Sequence, residues 1–280
     1  MSSNISTTFQ SVSQVGNTLL NSELESNLKS FIDWGMLGIG GWFNVTMPTY
    51  GAWGGTFDQL RLVDDPSYTL GQVWESARKD WVWETVVTYS EATPINISGV
   101  WINSSLKASG DATYGHHYNY PLGRVVFDSP IPTDSTVQLE HSYRNVQTYI
   151  ADQAPWWDEL QYNSMRVDDS TFTQTSSGNW SILSNHRVQM PAVIIETVPR
   201  RTYQPYELGS SNNFITQDAV FHIIAETRWW RNQLVDIISL QKDKTLMLYD
   251  SDKIADSDAF PLDYRGAVVN PSNNYSGIVN

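Results

Sequence analysis

Residues 214–225 constrain this chain more than any other stretch. Ile215, Ala219, Phe221, Ile223 and Ala225 fall on one parity, the two-residue period of a strand with one buried face. The period then changes at once. Thr227 is a good N-cap, and Trp230, Leu234, Ile237 and Ile238 follow at helical spacing. A half-buried strand that runs straight into an amphipathic helix is expected to fold as a sheet with the helix on its face. Upstream, residues 187–198 carry Val193, Ile194 and Ile195 and read as a strand. Residues 199–213, with Pro205 and Gly209, read as a long hairpin loop, and residues 245–249 as a closing strand. The order strand, strand, helix, strand predicts an α+β unit with a helix packed on an antiparallel sheet. Arg228 and Arg231 in the first helical turn oppose its dipole, at ~0.3–1 kcal/mol each, whereas Lys242 and Lys244 at its end agree with it.

The rest of the chain has a different rhythm. Residues 1–16 are rich in Ser, Thr, Asn and Gln and read as a flexible lead-in. Leu20, Leu24, Leu28 and Phe31 predict a first helix, with Ser22 and Glu25 as a capping box and Gly35 just past its end. Residues 42–46 read as a strand and 51–72 mostly as loop. Trp81, Trp83, Thr85 and Val87 alternate and predict a strand from about residue 80. Short strands follow at 95–103 and 123–128. A polar loop is expected at 104–119, a proline-rich turn at 128–135, one long strand at 136–150 and a helical turn at 151–161. Strands at this spacing predict a small β-sandwich or barrel. The division that follows is 1–16, a flexible segment; 17–90, a helix and strands of a core; 91–167, a β-rich, sandwich-like domain; 168–250, the α+β unit; and 251–280, an acidic, then Asn/Ser/Pro-rich extension. Two readings of that extension stand: a reach onto a neighbouring subunit, or a coil on its own domain.

Composition narrows the function classes. The chain holds 12 Trp, 14 Tyr and 9 Phe, a load that suits burial both on folding and on assembly, or plain β-sheet cores. Its net charge of −13 disfavours binding to a phosphate backbone. The same sign would let DNA pass through a lumen without sticking. With no cysteine there is no disulfide framework and no thiolate metal site. The first residues carry no charged or apolar signal region, and no apolar run is long enough for a membrane helix. Synthesis in a reducing cytoplasm is therefore expected.

Catalytic signatures are absent: no GxSxG, P-loop, GxGxxG with a following acid, or HExxH. His116 and His117 are adjacent and would share a metal only from a loop. Asp64–Asp65 and Asp168–Asp169 are sequence neighbours, not carboxylates placed across a bond. The sequence thus predicts no catalytic, cofactor-binding or metal residues, no cofactor and no enzyme. Two tryptophan pairs stand out, Trp156–Trp157 and Trp229–Trp230. In a helix neighbours diverge by about 100°, so one of the second pair is expected in the core and one outside, beside Arg228 and Arg231. Plain core packing is the competing reading. Candidate interface residues are Trp229, Trp230, Arg228, Arg231, Phe214, Phe221, Trp156 and Trp157.

The segments Pro191–Glu196, Phe214–Glu226, Leu234–Lys244, Gly40–Val45 and Tyr120–Asp128 resemble virion structural proteins of cyanophages and related contractile-tailed phages. The strand–long strand–helix–strand order also resembles tail-terminator and tail-completion proteins. That resemblance implies a terminator-like antiparallel sheet with a packed helix, plus an inserted sandwich-like domain. It implies a neck ring, hexameric in that family, that completes the tail. The partners implied are further copies of the chain and the tail-tube, tail-sheath and head-connector proteins, with DNA only passing through and no membrane. The location implied is the virion. The chain is longer than a minimal terminator, and its β-rich middle is extra. The alternative expectation is a baseplate or decoration module that binds host glycans.

Overall fold

The computed structural model describes residues 20–47, 58–84, 86–154, 157, 189–207, 213–242, 244–251, 261–263, 265 and 267–275. The protein is of mixed α+β class, with two α-helices and several small sheets among these residues. The elements are α1 (Leu20–Gly38), β1 (Trp42–Val45), β2 (Arg61–Leu62), β3 (Val73–Glu75), β4 (Val100–Ile102), β5 (Ser105–Lys107), β6 (His116–Asn119), β7 (Arg124–Phe127), β8 (Val137–Gln138), β9 (His141–Arg144), β10 (Gln147–Ile150), β11 (Ala192–Pro205), β12 (Asn213–Ile224) and α2 (Arg228–Ser239).

The central sheet is three-stranded, in the order β10-β11-β12. β11 pairs antiparallel with β12 and parallel with β10. Strand parity gives it two apolar faces. Val193, Ile195, Phe221 and Ile223 meet Leu28, Phe31, Ile32 and Met36 of α1 and Leu234, Ile237 and Ile238 of α2. Both helices therefore cover one face. On the other, Ala192, Ile194 and Ile224 pack with Tyr149, Ala154 and Trp157. The third strand is thus not residues 245–249, as expected, but β10. Residues 245–249 form no strand and make a single bridge, Tyr249 to Asn274. β10 wins that place because Tyr149 and Ile150 match the register of Ile194 and Ile195.

The middle of the chain holds two further sheets, β2-β3-β7-β6 and β5-β4-β8. They share one apolar core, with Trp74, Val125 and Phe127 from the first and Val100, Ile102 and Val137 from the second, sealed by Trp81 and Leu139. β1 pairs with β9 alone. The strands of segment 17–90 therefore belong with the β-rich middle; only α1 packs on the central sheet. β10, assigned to the β-rich domain, joins β11 instead. The expected boundary at 168 lies outside the described residues.

Other expectations are corrected locally. α1 runs past Gly35 because Met36 and Leu37 are buried. It stops when Gly41 N donates to Met36 O at 2.8 Å, over Gly40 at φ +83°. A side chain at Gly40 would also strike the Tyr89 ring. The strand expected from about residue 80 does not form among the described residues: Trp81, Val82 and Glu84 are all buried, and Asp80 at φ +56° turns the backbone. Trp81 then makes only a bridge to Tyr143. The polar stretch 104–119 contains β5 and β6, both held as hairpin partners of better strands. The long strand at 136–150 is cut into β8, β9 and β10, each with a different partner. Of the helical turn expected at 151–161, the described residues show a 3-10 turn, Ala151–Gln153, and a helical Trp157 whose N–H donates to Ala154 O at 2.8 Å. The described part of the C-terminal extension folds back on its own chain: Asp250 N donates to Asn273 O at 2.7 Å and Tyr275 N to Leu248 O at 3.1 Å.

Candidate functional site

The β11–β12 hairpin outruns the sheet that anchors it. Its register shifts between Thr197 and Arg201. A bulge of this kind bends the strand that carries it. Before the bulge, Ala192 to Ile195 are fully buried. Beyond it the arm is exposed on both strands: Tyr203 keeps 53%, Tyr206 56% and Phe214 56% of its surface. Tyr206 and Phe214 stack at 5.0 Å near its tip. A polar network ties the base of the arm to α1. Arg201 Nε donates to Gln217 Oε1 at 2.7 Å, Gln217 Nε2 to Asn21 Oδ1 at 2.6 Å, and Thr197 Oγ1 to Glu25.

The outer edge of β12 has no strand partner among the described residues, so its N–H and C=O groups offer a template for another chain. Directly after it, Thr227 Oγ1 accepts from Trp230 N at 3.2 Å and starts α2, as the sequence predicts. Only Leu234 of that helix is buried. Trp229 is 61% exposed and lies edge-on to the half-buried Trp230 at 4.9 Å. Val235 and Leu240 are exposed as well. The tryptophan pair thus splits as one exposed and one half-buried, with neither in the core. Arg228 and Arg231 are exposed beside it. Lys242 lies past the last turn, which holds no basic residue.

Of the interface candidates, Phe214 lies near the tip of the arm at the start of β12, and Arg228, Trp229, Trp230 and Arg231 form the first turn of α2 beyond the strand's other end. Phe221 packs half-buried under the helices. Trp157 is core: it closes the far face of the sheet and meets the His222 ring at 4.6 Å. Trp156 lies outside the described residues. Tyr203 and Tyr206 fall in the stretch 199–213 expected to be a loop; with both faces of the arm exposed, residues 201–205 carry no apolar alternation that would mark a strand.

Charge marks the same margin. Residues 192–244 hold six basic residues (Arg200, Arg201, Arg228, Arg231, Lys242, Lys244) and six acidic ones (Glu196, Glu207, Asp218, Glu226, Asp236, Asp243), so the whole excess of 30 acids over 17 basic residues sits elsewhere in the chain.

Of the histidines and carboxylates weighed for chemistry, His116, Asp65 and His141 are held by hydrogen bonds, an ion pair or burial. His116 and His117 sit on β6 and face opposite ways. His116 is buried between Tyr114 O at 2.8 Å and Tyr118 Oη at 3.1 Å. Burial pushes the Tyr118 hydroxyl up to about 12. Asp65 pairs with Arg124 at 2.9 Å, and Asp168–Asp169 lie outside the described residues. Ser76 Oγ approaches His141 Nε2 at 3.4 Å, but His141 is wholly enclosed and its other ring nitrogen faces Leu139 O. Burial pushes that imidazole down to about 4, too weak a base for nucleophile activation near neutral pH. Among the described residues no three His, Cys, Asp or Glu side chains are grouped to hold a metal ion, and no helix is long and apolar enough to cross a membrane. Compared with known proteins, the chain matches no protein-family model, no curated protein and no solved structure.

Proposed function

We propose that the protein is a structural subunit of a tailed-phage virion that assembles into a neck ring, completing the tail and joining it to the head connector. The observation that carries this reading is the margin formed by β12 and α2. β12 has an outer edge with no strand partner among the described residues, a projecting aromatic arm at its start and an exposed Trp229 just past its end, all within the electrically neutral stretch of an acidic chain. A surface of that kind fits a second copy: aromatic side chains and arginine dominate association energies, and the neutral patch limits repulsion between like-charged subunits. A head-to-tail contact repeated around an axis closes into a ring, a hexamer by the terminator resemblance. In this reading the central sheet with α1 and α2 is the terminator-like unit. The two small sheets of the middle form the sandwich-like insertion. Tail-tube, tail-sheath and connector proteins are the other partners.

Mass photometry of the full chain across micromolar concentrations, alone and with tube and connector proteins, tests the proposal. A closed oligomer is expected. A monomer under every condition overturns it, and retention on host polysaccharide without self-association would favour the glycan-binding module instead.

A further inference from the structure

The C-terminal half of α1 meets the chain over a buried set of charges that the assembly margin does not use. Arg144 on β9 donates through Nη2 to Glu84 Oε1 at 2.5 Å and through Nε to Asp80 Oδ1 at 3.3 Å. The Arg144 and Glu84 side chains keep 5% and 2% of their surface, and Asp80 keeps 24%. Two further atoms here are shut from solvent without a hydrogen-bond partner, Arg144 Nη1 and Asp33 Oδ1. The groups facing Asp80 come from every neighbouring element: Lys29 and Asp33 on α1, Glu84 on its own segment, Arg144 on β9 and Tyr149 on β10. Lys79, also buried, precedes it in the chain.

Three carboxylates thus surround one guanidinium. If all were ionised, two negative charges would be left over, with Lys29 offsetting one of them. An interior resists such an excess, and binding a proton removes it. No grouping suited to a metal ion exists among the described residues.

We propose that Asp80, Glu84 and Arg144, with Asp33 of α1 beside them, form a proton-binding site that fastens α1 to segment 80–84 and to β9, tight with one proton held between Asp80 and Glu84 and loosened when it leaves. The packing it would control is in place: Trp34 of α1 lies edge-on to Trp83 at 6.2 Å, and Leu37 packs with Trp42 and Val82. Burial, only partly offset by Arg144, pushes the Asp80 carboxyl up to about 7, and Glu84 is raised by the same cause. The exposed quarter of Asp80 gives the proton a way in. Because the folded value lies above the unfolded one of 3.8, the folded state holds the extra proton between the two. That contribution to stability is fully present at low pH and is lost as pH rises through about 7.

Asp80 sits at φ +56°, a region Asn tolerates well, so Asp80→Asn mimics the protonated group without backbone strain. The full chain and D80N are melted from pH 6 to 8.5, and α1 amide exchange is followed in both. The wild type is expected to lose melting temperature up to a little above pH 7 and then to level off, and its α1 amides to exchange about tenfold faster at pH 8 than at pH 6 after correction for intrinsic rates, because the linked equilibrium changes about tenfold for each pH unit below the folded value of about 7 and no further once both states have lost the proton. D80N should stay flat and melt no lower than the wild type at pH 8. Parallel profiles for the two proteins overturn the proposal. Carboxyl carbon NMR of the wild type decides independently of the variant's folding: one Asp or Glu titrating near neutrality supports the site, and all of them titrating below about 5 sinks it.

Discussion

Asn27 grips Tyr249 by both backbone groups: its Nδ2 donates to the carbonyl at 2.9 Å and its Oδ1 accepts from the amide at 3.1 Å. A side chain on α1 thus stands in for a strand neighbour. Glu23, one turn earlier, accepts from Ser251 N at 3.0 Å and Ser251 Oγ at 3.2 Å. Both side chains are buried, and Tyr249 then gathers Leu246, Leu262 and Val268 around it. The C-terminal segment therefore depends on two polar residues of the first helix for its attachment.

Replacing Asn27 with Leu leaves the N–H and C=O of Tyr249 without partners. Each buried unmet group costs ~1–3 kcal/mol. The urea midpoint should fall, and proteolytic nicking near residues 246–251 should appear first. An unchanged midpoint with no new cleavage would show that Asn27 does not hold the segment.

Arg124 bridges Glu75 at 2.6 Å and Asp65 at 2.9 Å, with Glu75 fully buried and its Oε1 already without a partner. Arg124→Met strands that carboxylate and should cost about 3–5 kcal/mol by chemical denaturation at pH 7. Adding Glu75→Leu should restore most of the loss, because an apolar pair of similar volume does as well as a buried ion pair. If the double variant is no better than the single, the two side chains are not coupled as described.

The sequence revealed the elements whose period one sheet or helix face decides. β12, α2 and its Thr227 cap are legible because burial on one side writes the parity directly into residues 214–238. Residues 136–150 misled for a physical reason. Val137, Leu139 and Tyr143 share one parity, but the apolar parity changes at Val146, and Leu139 N bonds Asp58 O and Asn145 N bonds Gly41 O between the strands, so the run passes through three sheets. Which partner each piece takes depends on contacts far along the chain. The same holds for β10, whose parallel neighbour begins at Ala192. At the candidate surface, helix geometry called for one exposed and one core tryptophan without saying which; Trp229 is the exposed one and Trp230 is only half-buried, while Trp157 is core on the far face of the sheet.

His141 provides a second pH dependence, opposite in sign to that of Asp80. Its folded value of about 4 lies below the unfolded 6.5, so the unfolded chain takes up a proton that the folded one refuses. Stability is therefore full above 6.5 and falls as pH drops toward 4. At ~1.4 kcal/mol for each tenfold difference in proton affinity this amounts to about 3 kcal/mol. Between pH 4 and 6.5 this slope is offset in the wild type by that of Asp80, so it is read in the D80N background: urea unfolding of D80N between pH 4 and 7 should show the slope, and adding His141→Phe should remove it. A His141 ring that titrates near 6.5 in the folded protein, followed by proton NMR, would contradict the argument.

The assembly margin separates folding from association most sharply. Trp229 and Phe214 are 61% and 56% exposed, so Trp229→Ala and Phe214→Ala should change monomer stability by no more than ~0.5 kcal/mol. If each anchors a contact between copies, its loss should weaken association by about 2 kcal/mol, roughly 30-fold. Trp157, 8% exposed, should behave in the reverse way: Trp157→Ala opens the far face of the sheet and costs about 3–5 kcal/mol of stability. Sedimentation equilibrium and urea denaturation on the three variants give both readouts. Unchanged association in Trp229→Ala and Phe214→Ala together would remove β12 and α2 as the surface on which subunits meet.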